Sequence, residues 1–306
     1  MFDYEYWGTN DLPMSSNQAL EEYMLERSAR LNAATVRFWN VSKDAIVLGY
    51  GESESVVKKV DGTFDLERRI TGGSHIQFDP NCFAYSFTAP RDGSFRYFED
   101  MRKYYAAKIS EAFQELGIEV SAVDNRASTI NVDDKVVASH AIFWGVKSAL
   151  LHGLMVINDY DVDRILERVM LKERKIGKHV YSEYSALKNI PAISKLLDKR
   201  LDSVQTRMRA DFVKRLIAKE VLKQVTEGKY AEKKLTERTV QEAHDMIART
   251  HLGSPWVDER KPAFKKTEAE AIPGEELDGP LKKDLGYCLY SQVKDRDFMK
   301  MSDQIE

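Results

Sequence analysis

The stretch Leu66-Glu67-Arg68-Arg69-Ile70-Thr71-Gly72-Gly73-Ser74 runs an arginine pair into a glycine pair. Consecutive backbone N–H groups with no side chains in the way form a concavity suited to anions. A guanidinium beside it can grip a phosphate oxygen by a forked contact. Farther along, Asp134-Lys135-Val136-Val137-Ala138-Ser139-His140-Ala141 sets a lysine at the start of an apolar strand, just after an acidic turn. A lysine so placed can sit over a carboxylate and a phosphate and stabilise charge as an acyl group moves. Together the two stretches suit an acid activated by a phosphate. Each also has a plainer reading: a glycine hairpin turn with two solvated arginines, and a lysine that closes a hairpin and points to water. Neither GxxxxGK[ST] nor GxGxxG occurs, so there is no Walker loop and no dinucleotide fingerprint.

His140 and His152 lie near predicted strands without a partner at metal-ligand spacing, and read as satisfied structural histidines. Cys82 has no basic neighbour in sequence to lower its thiol pKa and reads as buried and structural. The lysine- and arginine-rich segment 207–223 reads as a solvated amphipathic helix face.

Stepping outward, the elements that must carry these residues are short and β-rich. A helix is predicted over 17–31, then strands over 35–39, 45–50, 66–70, 75–78 and 83–88, punctuated by glycine- and Asp-containing turns. A second helix over 95–116 stops at Gly117. Strands follow over 118–123, 129–132, 135–141 and 150–157, with Asp133-Asp134 as a tight hairpin turn. That order predicts an α+β domain with mixed or antiparallel sheets packed with helices. Beyond position 161 the chain is expected to be mainly helical, with a last helix over 239–247. From Trp256 onward an extended, proline-broken tail is expected, with one strand over 285–293.

Composition narrows the function classes. The 49 acids nearly balance the 46 bases, giving a net charge of −3, which argues against a dedicated nucleic-acid binder. The two cysteines, Cys82 and Cys288, make no CxxC pair, so a reducing cytoplasm is the expected setting. The first residues lack the basic and apolar regions of a signal peptide, and no apolar run is long enough to span a bilayer. A soluble protein without membrane partners is expected.

Read in order, these stretches resemble lipoate–protein ligases of the biotin/lipoate A/B protein ligase superfamily. Arg68-Arg69-Ile70-Thr71-Gly72-Gly73-Ser74-His75-Ile76-Gln77-Phe78-Asp79 resembles the family's arginine pair, glycine run and strand leading to an aspartate. Lys135-Val136-Val137-Ala138-Ser139-His140-Ala141 is similar to its lysine segment, and Leu151-His152-Gly153-Leu154 to its His-Gly strand. Asn125-Arg126 stands where the family has Asn-Asp. The chain departs from the pattern at Ser74, at Phe78, where a histidine is expected, at Ala138, where glycine is expected, and at Cys82, where an asparagine often helps hold adenine. No cysteine occurs in 121–134, the place of the nucleophile in related octanoyl transferases and amidotransferases.

The resemblance implies a catalytic domain like those of class II aminoacyl-tRNA synthetases and biotin ligases over residues 1–255. Residues 256–306 would be a short C-terminal extension or reduced accessory domain. It implies ATP, Mg2+ and lipoate, formation of lipoyl-AMP, and transfer to a lysine of a lipoyl-domain or H-protein-like acceptor, with a separate accessory subunit as one option. Lys135 would be the catalytic cation. Arg69, Thr71, Gly72, Gly73, Ser74, His75, Ile76, Asp79, Cys82, Asn125 and His152 would border substrate or nucleotide. Two alternatives stay open: an ATP-independent octanoyl or lipoyl transferase, and a non-catalytic acyl-binding member of the superfamily.

Overall fold

The computed structural model describes residues 2–58, 62–124, 128–133, 135–159, 162–169, 173–176, 179–182, 192–197 and 206–247. Asn125, Asp134 and everything from 248 onward, including the expected tail strand and accessory segment, lie outside the described residues.

Strand β1 (Tyr4–Leu12) leads into helix α1 (Met14–Leu31) and strands β2 (Ala34–Val41) and β3 (Ala45–Leu48). Pro13 opens α1, and Asn32 closes it in the left-handed region. Next come β4 (Asp65–Arg68), β5 (Ile76–Phe78) and β6 (Cys82–Pro90). Helix α2 (Phe98–Glu115) follows, with Glu99 and Asp100 favourably placed at its positive end. Strands β7 (Ala122–Asp124), β8 (Thr129–Val132), β9 (Lys135–Trp144) and β10 (Ser148–Val156) complete the centre. Beyond them lie α3 (Val162–Arg168), β11 (Glu173–Ile176), β12 (His179–Ser182), α4 (Ile193–Leu196), α5 (Thr206–Thr226), β13 (Ala231–Glu232) and α6 (Glu237–Ile247).

Eight strands form one mixed sheet in the order β13-β1-β2-β6-β10-β9-β8-β7. Both neighbours of β1 run parallel to it, while the pairs from β2 to β7 are antiparallel. The α+β expectation with mixed sheets holds. The main core lies between this sheet and α2 and α5, where Phe38, Phe83, Tyr85, Phe87, Tyr105, Ile217 and Val221 are buried. Phe87 and Tyr105 stack with ring centres 4.6 Å apart. The opposite face carries α1 and a three-stranded sheet, β4-β3-β5.

One expectation needs correction. Residues 4–12 form a full strand that the sequence reading left out; Gly8, at φ +72, sits where its register shifts. Past 161 the described residues are mainly helical, as expected, with β11 and β12 pairing as a short antiparallel hairpin.

Candidate active site

Helix α1 turns polar side chains toward the sheet. Asn17, Glu21 and Ser28 are buried there, which an ordinary amphipathic helix avoids. Glu21 Oε2 lies 2.7 Å from His152 Nδ1, and Glu21 Oε1 accepts the Ser86 hydroxyl at 2.5 Å. Ser86 Oγ in turn accepts Trp39 Nε1–H at 3.0 Å. The other ring nitrogen of His152 meets Thr71 Oγ1 at 2.7 Å, and Thr71 Oγ1 accepts Arg69 Nε–H at 2.9 Å. One continuous buried chain therefore links Trp39, Ser86, Glu21, His152, Thr71 and Arg69. Burial alone would raise the Glu21 carboxyl, but His152, Ser86 and the nearby Arg37 outweigh it and hold that carboxyl below its ordinary range. The carboxylate keeps a proton on Nδ1 of His152 and leaves Nε2 to Thr71.

The arginine pair braces two loops. Arg68 donates to the carbonyls of Gly49 (2.9 Å), Tyr50 (3.1 Å) and Glu52 (2.6 Å). Arg69 donates to the carbonyls of Val47 (3.1 Å), Gly72 (2.7 Å) and Ser74 (2.8 Å). Both arginines are buried. The solvated pair of the plainer reading is thus excluded, and so is an outstretched phosphate fork, because the Arg69 guanidinium is committed to the turn it shapes. The turn itself is open. Gly72 and Gly73 are exposed, and a Cβ on Gly72 would meet no atom within 4 Å. Gly73 has φ +94, and its carbonyl packs so close to Gly49 that a Cβ there would lie 1.8 Å from the oxygen. Ser74, His75 and Ile76 follow, half-buried.

Beside the polar chain is an apolar wall. Trp39 stacks on Phe78 at 5.3 Å, with Met14, Val47, Cys82 and Leu154 buried around them and Ile76 at the edge. Phe78 thus packs as core, which accounts for its departure from the expected histidine.

Lys135 starts β9 opposite Val132, across a hairpin in which Asp133 has φ +48. It is exposed and has no hydrogen-bond or ion-pair partner among the described residues. Met155 faces Ala138 and Val156 faces Cys82, so continuing both registers brings Lys135 and the 79–82 turn to the same end of the sheet. His152 lies six positions back from the level of Lys135, about 20 Å along the strand. The structure therefore gathers the expected residues into two groups: Arg69, Thr71 and His152 at mid-sheet, and Lys135, Asp79 and Cys82 at its end.

Asp79 is buried and caps its own turn. Its carboxylate accepts Asn81 N–H at 2.8 Å, Asn81 Nδ2–H at 3.3 Å and the Cys82 thiol at 3.4 Å. Cys82 is buried, as expected. His140 is buried, and among the described residues neither ring nitrogen has a hydrogen-bond partner, so it is not the satisfied histidine expected. Burial first, then Arg102 and His152, pulls its pKa from 6.5 down to about 4. Glu21, Trp39, Ser86 and Lys214 were missed in the sequence. Glu21 sits in an acidic pair on a helix face and Lys214 among other cations, so composition hides both. Lys214 corrects the reading of 207–223 as a solvated face, for it is buried and donates to the Pro80 carbonyl at 2.9 Å.

Residues 13–216 match the profile of the lipoyl protein ligase A/B catalytic domain, a span that takes in the glycine turn, Lys135 and His152 together. The chain belongs to this family. Lipoate–protein ligase 1 of Staphylococcus aureus is 25% identical over 182 residues, covering 57% of this chain and 52% of that relative. The chain thus spans about half the length of that curated relative. Two solved ligase structures share the fold. A lipoate-protein ligase A bound with ATP is 14% identical with a TM-score of 0.63, covering 84% of this chain and 98% of that one. A bi-partite lipoate protein ligase of Thermoplasma acidophilum, described with its E2 lipoyl domain, is 14% identical with a TM-score of 0.65, covering 87% and 98%. The ligase-family match ends within α5, yet β13 still extends the sheet beside β1 and α6 still packs on α1 through Ala243 and Ile247.

Proposed function

We propose that this chain is an ATP-dependent lipoate–protein ligase. The carboxylate of lipoate attacks the α-phosphorus of ATP, forming lipoyl-AMP and releasing pyrophosphate. The amine of an acceptor-domain lysine then attacks the acyl carbon, forming an amide and releasing AMP. The observation that carries this reading is the single family match over the glycine turn, Lys135 and His152. The relative with bound ATP and the bi-partite relative described with a lipoyl domain support the nucleotide and the acceptor class.

The local geometry supports a role for each group. The open Gly72 backbone leaves room for a ligand beside His152, and Arg69 and Thr71 hold that backbone in shape. His75 and Ile76, half-buried at the margin of the closed Trp39–Phe78 cluster, are placed to meet an acyl chain. His152, fixed by Glu21 and Thr71, offers a rigid polar floor. Lys135, exposed and without a partner among the described residues, supplies the positive charge for the carboxyl and phosphate oxygens in both steps. Asn125, Asp79 and Cys82 would act at the nucleotide end, Asp79 and Cys82 by shaping their turn. Mg2+ would offset phosphate charge.

Residues 1–255 would form the catalytic unit and 256–306 an extension or reduced accessory domain, with a second subunit as one means of completing it. A cytoplasmic setting is part of the proposal; no described helix is long and apolar enough to cross a membrane. An ATP-independent transferase would use Cys82 as nucleophile or Lys135 in direct transfer; the Cys82 route is less well supported, because that thiol is only 2% exposed and hydrogen-bonded to Asp79. Incubation with lipoate, ATP, Mg2+ and an unmodified lipoyl domain tests the reading by mass spectrometry. Lipoylation that requires ATP is expected. Modification from an acyl carrier without ATP would overturn it in favour of the transferase, and tight lipoate binding with no modification in favour of a binding-only protein.

A further inference from the structure

Lys214 occupies a place that α5 has no need to give a lysine. Only 6% of the residue is exposed, and burying an ammonium is costly unless its charge and donors are answered. Here they are met only in part, across an element boundary, and burial still pulls the amine's pKa below its ordinary value. The amine donates to the Pro80 carbonyl at 2.9 Å, and Asp211, Asp11, Asp79 and the Cys82 thiol all lie within electrostatic reach. Asp211, one helical turn away on the same exposed side, could have kept the lysine at the surface as a local pair. The side chain instead reaches the turn that opens β6.

That turn is held from three sides. The Asp79 carboxylate caps it from within through Asn81 and Cys82. The Asn81 carbonyl accepts Ile157 N–H at 2.9 Å, tying it to the end of β10. Lys214 holds the third side, and Lys135 begins at this same end of the sheet. We propose that Lys214 is a positioning residue: it fixes the 79–82 turn against the sheet end, and nucleotide binding at that end depends on this hold. The nucleotide half of the proposal rests on the ligase reading; the anchoring half does not.

The test compares Lys214→Met and Lys214→Arg in a full-length Cys288→Ser background, which leaves Cys82 as the sole thiol. Two quantities are measured: the iodoacetamide alkylation rate of Cys82, and the affinity for ATP with Mg2+ by titration calorimetry. Losing a hydrogen bond from a charged donor predicts, in Lys214→Met, alkylation about tenfold faster and ATP binding about tenfold weaker. Lys214→Arg, which keeps a charged donor, should stay close to the parent in both. If Lys214→Met does not fold, Lys214→Gln keeps a donor for Pro80 without the charge and is expected to lie between parent and loss. Unchanged alkylation overturns the anchor. Faster alkylation with unchanged ATP affinity overturns the functional role, leaving a packing contact. A parent chain that does not bind ATP overturns the ligase reading and the nucleotide half with it, while the alkylation rates still decide the anchor.

Discussion

Arg69 and Lys135 are both cations in the candidate site, and the structure gives them opposite tasks. Arg69 directs its donors to four protein oxygens and so acts as a brace, whereas Lys135 is exposed and has no hydrogen-bond or ion-pair partner among the described residues. Lys135→Ala should therefore fold normally and lower lipoate adenylation by about 100-fold or more, the scale seen when a charge-stabilising donor is removed. Steady-state pyrophosphate assays beside thermal melts would check this. Glu21 carries a different risk. It is 1% exposed and balances His152 within a closed hydrogen-bond chain. Glu21→Ala leaves that histidine facing a hole, and a broken buried pair of this kind costs about 3–5 kcal/mol. Glu21→Gln, which keeps the shape and an acceptor, should cost markedly less. Urea denaturation of the two variants measures the difference.

At the scale of elements, the glycine turn depends on two glycines for unlike reasons. At Gly49 a Cβ would strike the Gly73 carbonyl, so Gly49→Ala should displace the turn and lower both stability and activity. At Gly72 a Cβ meets open space, so Gly72→Ala should keep its melting temperature and lose activity by blocking the approach of a ligand. Equal losses of stability in both variants would contradict that division. On strand β9, His140 is buried without a hydrogen-bond partner among the described residues, and burial pulls its pKa to about 4 in the folded chain. Below its ordinary 6.5 the unfolded chain takes up a proton that the folded chain refuses. The stability present above 6.5 is therefore lost as pH drops toward 4. His140→Leu should flatten that acid limb, as denaturation at pH 7 and pH 5 would reveal.

These elements also mark what was legible in the sequence. Alternation and turn residues located β8 at 129–132 and the start of β9 at Lys135, because local pattern alone decides such strands. The glycine pair announced an open turn. Nothing local could reveal that its arginine faces inward, since that depends on carbonyls brought together by β3 and the turn. Glu21 was invisible for the same reason: its partners Ser86 and His152 lie on β6 and β10, far away in sequence. The first strand was overlooked because its pairing partners lie at 34–41 and 231–232, and a strand with a bulge at Gly8 shows no clean alternation.

Across the whole molecule, the sheet divides two kinds of interior. The α2–α5 face is aromatic and aliphatic core, while the α1 face mixes buried charge, hydroxyls and an open glycine turn. Stability should thus reside on one side and chemistry on the other. The central claim is that this face activates lipoate with ATP, and pyrophosphate release tests it most directly. The account predicts release by the purified chain that requires both ATP with Mg2+ and lipoate, and that nearly vanishes in Lys135→Ala. Release that ignores lipoate, or that persists undiminished in Lys135→Ala, would contradict it.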